Sequence, residues 1–246
     1  MPKFFTAREN ITDTQIIIDS EDAKHIKKVL RLDVGDTVTV CDGAGTDYTT
    51  KISAIEQNKI ICDIMNSVKC DTEPRINITL YQGIPKASKM DYIIQKNTEL
   101  GICNIVPVRL SRCVAKVEDG ASESKKIDRW QKIAYEAAKQ SGRGIIPEIK
   151  SPMSLDEVLE AVRNDDLVFV PYDCEEDGSL KRLIENNADA KNISFIIGPE
   201  GGFDITEIEK IKSAGIKTIT LGKRILRTET AAEAVVSMLM YAYNEI

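Results

Sequence analysis

Four segments of this chain concentrate residue types that could bind a small molecule and act on it. The first is SFIIGPEGGF, residues 194–203, where an apolar run ends in Gly198-Pro199-Glu200-Gly201-Gly202. Glycines after a buried strand let backbone amides approach a ligand closely. They equally suit a tight strand-to-helix turn, and the pattern alone leaves both open. It is neither G-x-G-x-x-G nor a Walker sequence, so a dinucleotide or triphosphate is not indicated. The second is LGKRILRTETA, residues 221–231, which places Lys223, Arg224 and Arg227 within five residues. Such cations could hold an anion or stabilise negative charge developing on a substrate, with Thr228 or Glu229 capping the helix that follows. A charged surface connector is the alternative. The third, VPYDCEEDGS at 170–179, also follows an apolar run. The fourth, EAAKQSGR at 136–143, ends a helical pattern in Gln140, Ser141 and Arg143. That end either meets an anionic partner or complements the helix dipole.

Other chemistries find less support. The only histidine is His25, and the six cysteines form no C-x-x-C pair. Neither a zinc site nor a disulfide framework is expected. No G-x-S-x-G turn supports a hydrolase triad.

The elements that must position these segments change character along the chain. Residues 1–72 read as a small β domain, with strands at 15–19, 37–41, 48–55 and 59–65 separated by Asp42-Gly43 and Gln57-Asn58. One short helix, about 22–30, interrupts them and carries Lys24, His25, Lys27, Lys28 and, just beyond it, Arg31. Short strands in a piece of this size suggest a small barrel. From residue 73 the pattern alternates. Strands are expected at 75–82, 104–108, 167–170, 193–197 and 218–221, and helices at 88–100, 124–140 and 230–243. Ser154-x-x-Glu157 and Asp204-x-x-Glu207 have capping-box spacing and open two more helices. Apolar strands alternating with helices indicate a parallel sheet covered on both faces. Ligands of such sheets sit beyond the carboxyl ends of the strands, where the first three segments lie.

The chain has 246 residues and a net charge of -6, which read as one number argues against a nucleic-acid partner. By region it divides into -3 for residues 1–72, +6 for 75–150 and -8 for 151–246, with Glu73 supplying the remaining -1. A basic middle can attract a polyanion while the whole stays acidic. No apolar run approaches a membrane span, and the first residues lack the apolar stretch of a signal peptide, so a cytoplasmic location is expected.

Taken together, six motifs in order resemble one family closely. They are KFF at 3–5, His25 with VLR at 29–31, MDYIIQKNTELG at 90–101, EAAKQSGR, IGPEGG at 197–202 and LGKRILRTETA. The chain is similar to the RsmE-type small-subunit ribosomal RNA uridine N3-methyltransferases of the SPOUT superfamily. Two departures are Lys3, where the family more often has Arg, and Cys113, where it has Ser. The resemblance implies an α/β protein with a PUA-like β-barrel at 1–72 and a SPOUT methyltransferase domain at 73–246. A deep trefoil knot would span about 168–246. It implies S-adenosylmethionine without a metal, held by Pro171, Tyr172, Asp173, Ile197, Gly198, Pro199, Glu200, Gly201, Gly202, Leu221, Gly222, Ile225, Leu226, Thr230 and Ala231. Arg224, Arg227 and Glu229 would serve catalysis. Arg8, Lys24, His25, Lys28, Arg31, Arg112 and Arg143 would meet RNA. The expected partners are 16S ribosomal RNA or the small ribosomal subunit and a second copy of the chain, with no membrane and no DNA. A non-catalytic RNA-binding assembly factor, and a methyltransferase of this fold acting on another base position, remain as alternatives.

Overall fold

The computed structural model describes residues 3–114, 120–173, 175 and 178–246. Positions 174, 176 and 177 of the third segment, Cys174 among them, lie outside the described residues. The chain divides into two compact units, Met1–Glu73 with Ala138–Ile146, and Pro74–Ala137 with Pro147–Ile246.

The first unit is a five-stranded sheet of β1 (Lys3–Phe5), β2 (Gln15–Asp19), β3 (Thr37–Cys41), β4 (Thr46–Ile55) and β5 (Lys59–Lys69). The order is β1-β3-β4-β5-β2, antiparallel except for β1 beside β3. Alternation puts Phe4, Ile16, Ile18, Val38, Val40, Ile52 and Ile60 into one core, as period-two strands require. The two outer strands meet through Thr6, next to β1, whose Oγ1 donates to the Ile17 carbonyl of β2 at 2.9 Å.

The single helix expected at 22–30 divides. Helix α1 covers Ser20–His25, and a wider π-type turn follows over Ile26–Leu30, ended by Arg31 in the left-handed region at φ 54°. The wide turn keeps Ile26 fully buried while Lys27, Lys28 and Val29 stay outside. Residues 138–146 join this unit through Gly144, whose carbonyl accepts from Gly45 N at 3.0 Å and Cys41 Sγ at 3.1 Å. Burial pushes the Cys41 thiol up to about 12, so it behaves as a small buried apolar group. A boundary read along the chain at 72/73 cannot include this returning segment.

The second unit alternates as the pattern predicts: β6 (Asn77–Gly83), α2 (Lys89–Glu99), β7 (Asn104–Arg109), α3 (Ala121–Ser141), β8 (Glu148–Ile149), β9 (Met153–Ser154), α4 (Leu155–Ala161), β10 (Leu167–Pro171), α5 (Leu180–Glu185), β11 (Asn192–Ile197), α6 (Ile205–Ser213), β12 (Lys217–Ile219) and α7 (Thr228–Ala242). The sheet order is β12-β10-β11-β6-β7-β8, with β9 also on β7, and every pairing is parallel. Each face carries its own apolar layer, one around Ile93, Phe169, Phe195 and Val235, the other around Val106, Val170, Ile196 and Ile211. Both capping boxes form, at Ser154 with Glu157 and at Asp204 with Glu207. Helix α2 buries Met90, Ile93, Ile94 and Asn97; Asn97 satisfies its Nδ2 on the Ile93 carbonyl at 2.7 Å. Trp130 of α3 is buried and donates from Nε1 to Asp91 Oδ1 at 3.2 Å. Among the described residues no helix is long and apolar enough to cross a membrane.

Candidate active site

The carboxyl ends of β10, β11 and β12 open into one cavity of about 980 Å³. Its size suits a cofactor or drug-sized ligand, and its place is where parallel sheets bind. Of the residues assigned to a cofactor, Pro171, Tyr172, Asp173, Ile197, Gly198, Pro199, Glu200, Gly202, Leu221, Gly222, Ile225, Leu226 and Ala231 line it. Gly201 and Thr230 are not on its wall. Phe203, Thr220 and Lys89 join the lining without having been marked as site residues in the sequence.

Local chemistry explains the shape of the glycine loop. A Cβ on Gly198 would come within 3.2 Å of the Gly202 carbonyl carbon and of Phe203 Cε2. Gly202 itself sits at φ +67°, where a side chain is strained. Gly201 lies against Arg112, whose Nη1 donates to the Gly201 carbonyl at 3.2 Å while Nη2 reaches Asp204 at 3.4 Å. Arg112 is half exposed, and the part of it that is bound braces this loop.

Thr228 opens α7, yet no side-chain cap forms there. Its Oγ1 instead donates to the Gly198 carbonyl at 2.7 Å and accepts from Gln82 Nε2 at 2.9 Å. The expectation that Thr228 or Glu229 caps the helix is therefore corrected. The hydroxyl is drawn sideways to satisfy two buried groups, and Arg227 holds the N-cap position. Glu229 faces Lys89 of α2, with Nζ 3.3 Å from Oε2, and the same ammonium lies 3.2 Å from Glu200 Oε1. Glu200 also accepts from the Lys86 amide at 3.1 Å. Burial pushes the Glu200 carboxyl up, but backbone amides and Lys89 outweigh it and hold the group below its usual range.

The basic segment behaves differently. Lys223, Arg224 and Arg227 line the cavity, are exposed, and have no ion pair among the described residues. Three cations at a cavity mouth with no ion pair among the described residues form a ready anion site.

The residues assigned to RNA separate. Arg8, Lys24, Lys28 and Arg31 are exposed on the first unit, and His25 is half-buried edge-on to Phe4 at 6.1 Å. Arg143 is different. It is 3% exposed, and its Nη2 donates to Glu73 Oε2 at 2.6 Å. Glu73 Oε1 further accepts from Gly144 N at 2.8 Å and Ile145 N at 3.1 Å. The guanidinium is spent on an internal carboxylate, so Arg143 anchors the returning segment and is not presented to a phosphate.

A parallel α/β unit with a glycine-walled cavity and a cationic rim, on one chain with a small β unit, defines a class that comparison makes specific. Residues 72–240 match the model of the RNA methyltransferase domain, and residues 18–65 match the RNA methyltransferase PUA domain. Similar relatives are named ribosomal RNA small subunit methyltransferase E. That of Bacillus subtilis is 31% identical, over 91% of this chain and 89% of its own. That of Aquifex aeolicus is 32% identical, over 92% and 93%. A crystal structure of the Neisseria gonorrhoeae ribosomal RNA small subunit methyltransferase E, bound to S-adenosyl methionine, superposes with a TM-score of 0.88 at 29% identity, covering 99% and 98% of the two chains. The chain belongs to this family of RNA methyltransferases, that of ribosomal RNA small subunit methyltransferase E.

Proposed function

We propose that this protein transfers the methyl group of S-adenosylmethionine to N3 of a uridine in 16S ribosomal RNA of the small ribosomal subunit. The observation that carries the reading is the trio Lys223, Arg224 and Arg227, unpaired among the described residues on the wall of a glycine-lined cavity. S-adenosylmethionine fits the residues present: at Gly202 and Gly222 on the cavity wall a Cβ would meet nothing within 4 Å, which leaves backbone free to approach a ligand, and the volume is adequate. Residues 171–173, 197–200, 202, 221–222, 225–226 and 231 would hold it. When bound it supplies an electrophilic methyl group on a sulfonium, so no metal is needed for the transfer.

The residues of this chain then have three tasks. The N3–H of uracil is a weak acid, protonated at neutral pH. Arg224 and Arg227 stabilise the negative charge spread over N3, O2 and O4 when N3 loses its proton, before it takes the methyl group. The cavity wall aligns the reacting atoms, and the target base must be unstacked to enter. Glu229 is the carboxylate nearest these cations in sequence; to accept the N3 proton it must leave Lys89. Arg8, Lys24, His25, Lys28 and Arg31 of the first unit, with Arg112 of the second, supply phosphate contacts.

The same reading includes a deep trefoil knot over about 168–246, a cytoplasmic location and a homodimer. The dimer is supported by Met238 and Tyr241 on α7, which are 39% and 77% exposed, and by Tyr92 on α2 at 43%. The test is methylation of small subunits from a deletion strain with purified protein, read by mass spectrometry of ribosomal RNA nucleosides. The reading requires N3-methyluridine to appear, and Arg227→Ala to slow its formation about 100-fold with cofactor affinity retained. A methyl group on another base, or full activity in Arg227→Ala, would refute it.

A further inference from the structure

The connector between β6 and α2 contributes no loop recognised in the sequence as part of the site, yet it ties the site together twice. Gln82, fully buried at the end of β6, reaches the Gly198 carbonyl through Thr228. Seven residues on, Lys89 joins Glu200 of the glycine loop to Glu229 of α7. Between them Ala87 turns the chain at φ 51°, a strained conformation for a residue with a Cβ. The turn brings the Lys86 amide and the Lys89 ammonium onto the same Glu200 carboxylate.

The charges of this group matter to the reaction. Within this group Glu200 and Glu229 contribute two negative charges and Lys89 one positive, a net single negative charge set against Lys223, Arg224 and Arg227 on the same cavity. The methyl donor and its demethylated product differ little in shape. They differ by one positive charge, that of the sulfonium. A wall of fixed charge therefore discriminates between them, and the strength of the discrimination depends on how many carboxylates Lys89 neutralises.

We infer that Lys89 is a specificity-determining residue that sets the preference of the cavity for the cationic methyl donor over the neutral product. The inference rests on the cofactor reading given under the proposed function. By offsetting one of two carboxylates, Lys89 keeps the donor from being held too tightly relative to the product, while its two ion pairs fix the loops. A purely structural tie would weaken donor and product alike when broken. A charge-setting residue moves their ratio.

Isothermal calorimetry on the full chain, with S-adenosylmethionine and S-adenosylhomocysteine as separate probes, decides between these. Lys89→Met uncovers a full negative charge at the wall. A unit charge acting across a partly solvated cavity is worth a factor of about 5 in binding, so the ratio of product Kd to donor Kd should rise about fivefold. Lys89→Arg keeps the charge and should hold the ratio within about twofold of the parent. Glu200→Gln removes a negative charge and should move the ratio the opposite way, which keeps the test decisive if Lys89→Met fails to fold. A ratio unmoved by both charge-changing variants overturns the inference while leaving the cofactor reading intact. A parent protein that binds neither probe overturns both.

Discussion

Replacing Arg143 by Ala should damage the first unit and leave RNA contacts almost untouched. The guanidinium makes two bonds to Glu73, from Nη2 at 2.6 Å and Nε at 3.3 Å, with side-chain exposures of 4% and 13%. Deleting one partner of a buried pair costs about 3–5 kcal/mol, because the other charge is left behind without compensation. Glu73 keeps its amide donors from Gly144 and Ile145, which places the expected loss near the lower bound, about 3 kcal/mol. Against a domain stability of about 5–15 kcal/mol this is a large fraction. Amide hydrogen exchange read by mass spectrometry should show β3, β4 and β5 opening about 100-fold more often, at 1.4 kcal/mol per tenfold. Arg143→Lys should fall between, since an ammonium lacks the planar fork. The opposite outcome is equally concrete: unchanged protection in the sheet, weaker RNA binding, and a salt slope smaller by about one would make Arg143 a phosphate contact and refute the reasoning.

Two further outcomes follow from contacts already described. Gly83→Ala would place a Cβ 2.7 Å from Pro199 N and Cδ and 2.9 Å from Leu110 Cδ1. Because backbone must give way, it should cost about 1–3 kcal/mol and weaken S-adenosylmethionine binding, checked by thermal melting and calorimetry. The carboxyls of Glu157, Asp166 and Asp204 are all held below their usual range, chiefly by backbone amides. Depressed carboxyls contribute stability that is present above their unfolded values, about 4, and lost as pH falls through the folded ones. Urea midpoints should therefore be flat from neutrality to about pH 5 and fall below pH 4; a midpoint that rises on acidification would refute this.

Local signals carried much of the architecture. Strands β2 and β3 have the bounds their alternation predicts, and Ser154 and Asp204 cap helices because their partners lie three residues away. The cavity-lining glycines were legible for the same reason, since a buried strand followed at once by glycines is contained in ten residues. What escaped was non-local. Strand β1 has three residues and exists by pairing with β3, more than thirty residues on. Residues 138–146 are helix end and turn by pattern, yet they pack in the first unit around Glu73. Lys89 carries no local mark of a site residue, because its carboxylates are more than a hundred residues away along the chain. The expected knot and dimer rest on family resemblance and not on any pattern of spacing, and the expected cytoplasmic location rests on the absence of an apolar stretch in the first residues.

Trp130 has a consequence of an optical kind. It is the only indole in the chain, and it lies 4% exposed within the second unit, its nitrogen on Asp91. Intrinsic emission excited on the red edge of the protein band thus originates in one unit alone. Loss of packing around α2 and α3 would shift that emission, whereas melting of the PUA-like unit would pass without colour change. Nature has left the methyltransferase unit with its own lamp and the PUA-like unit dark.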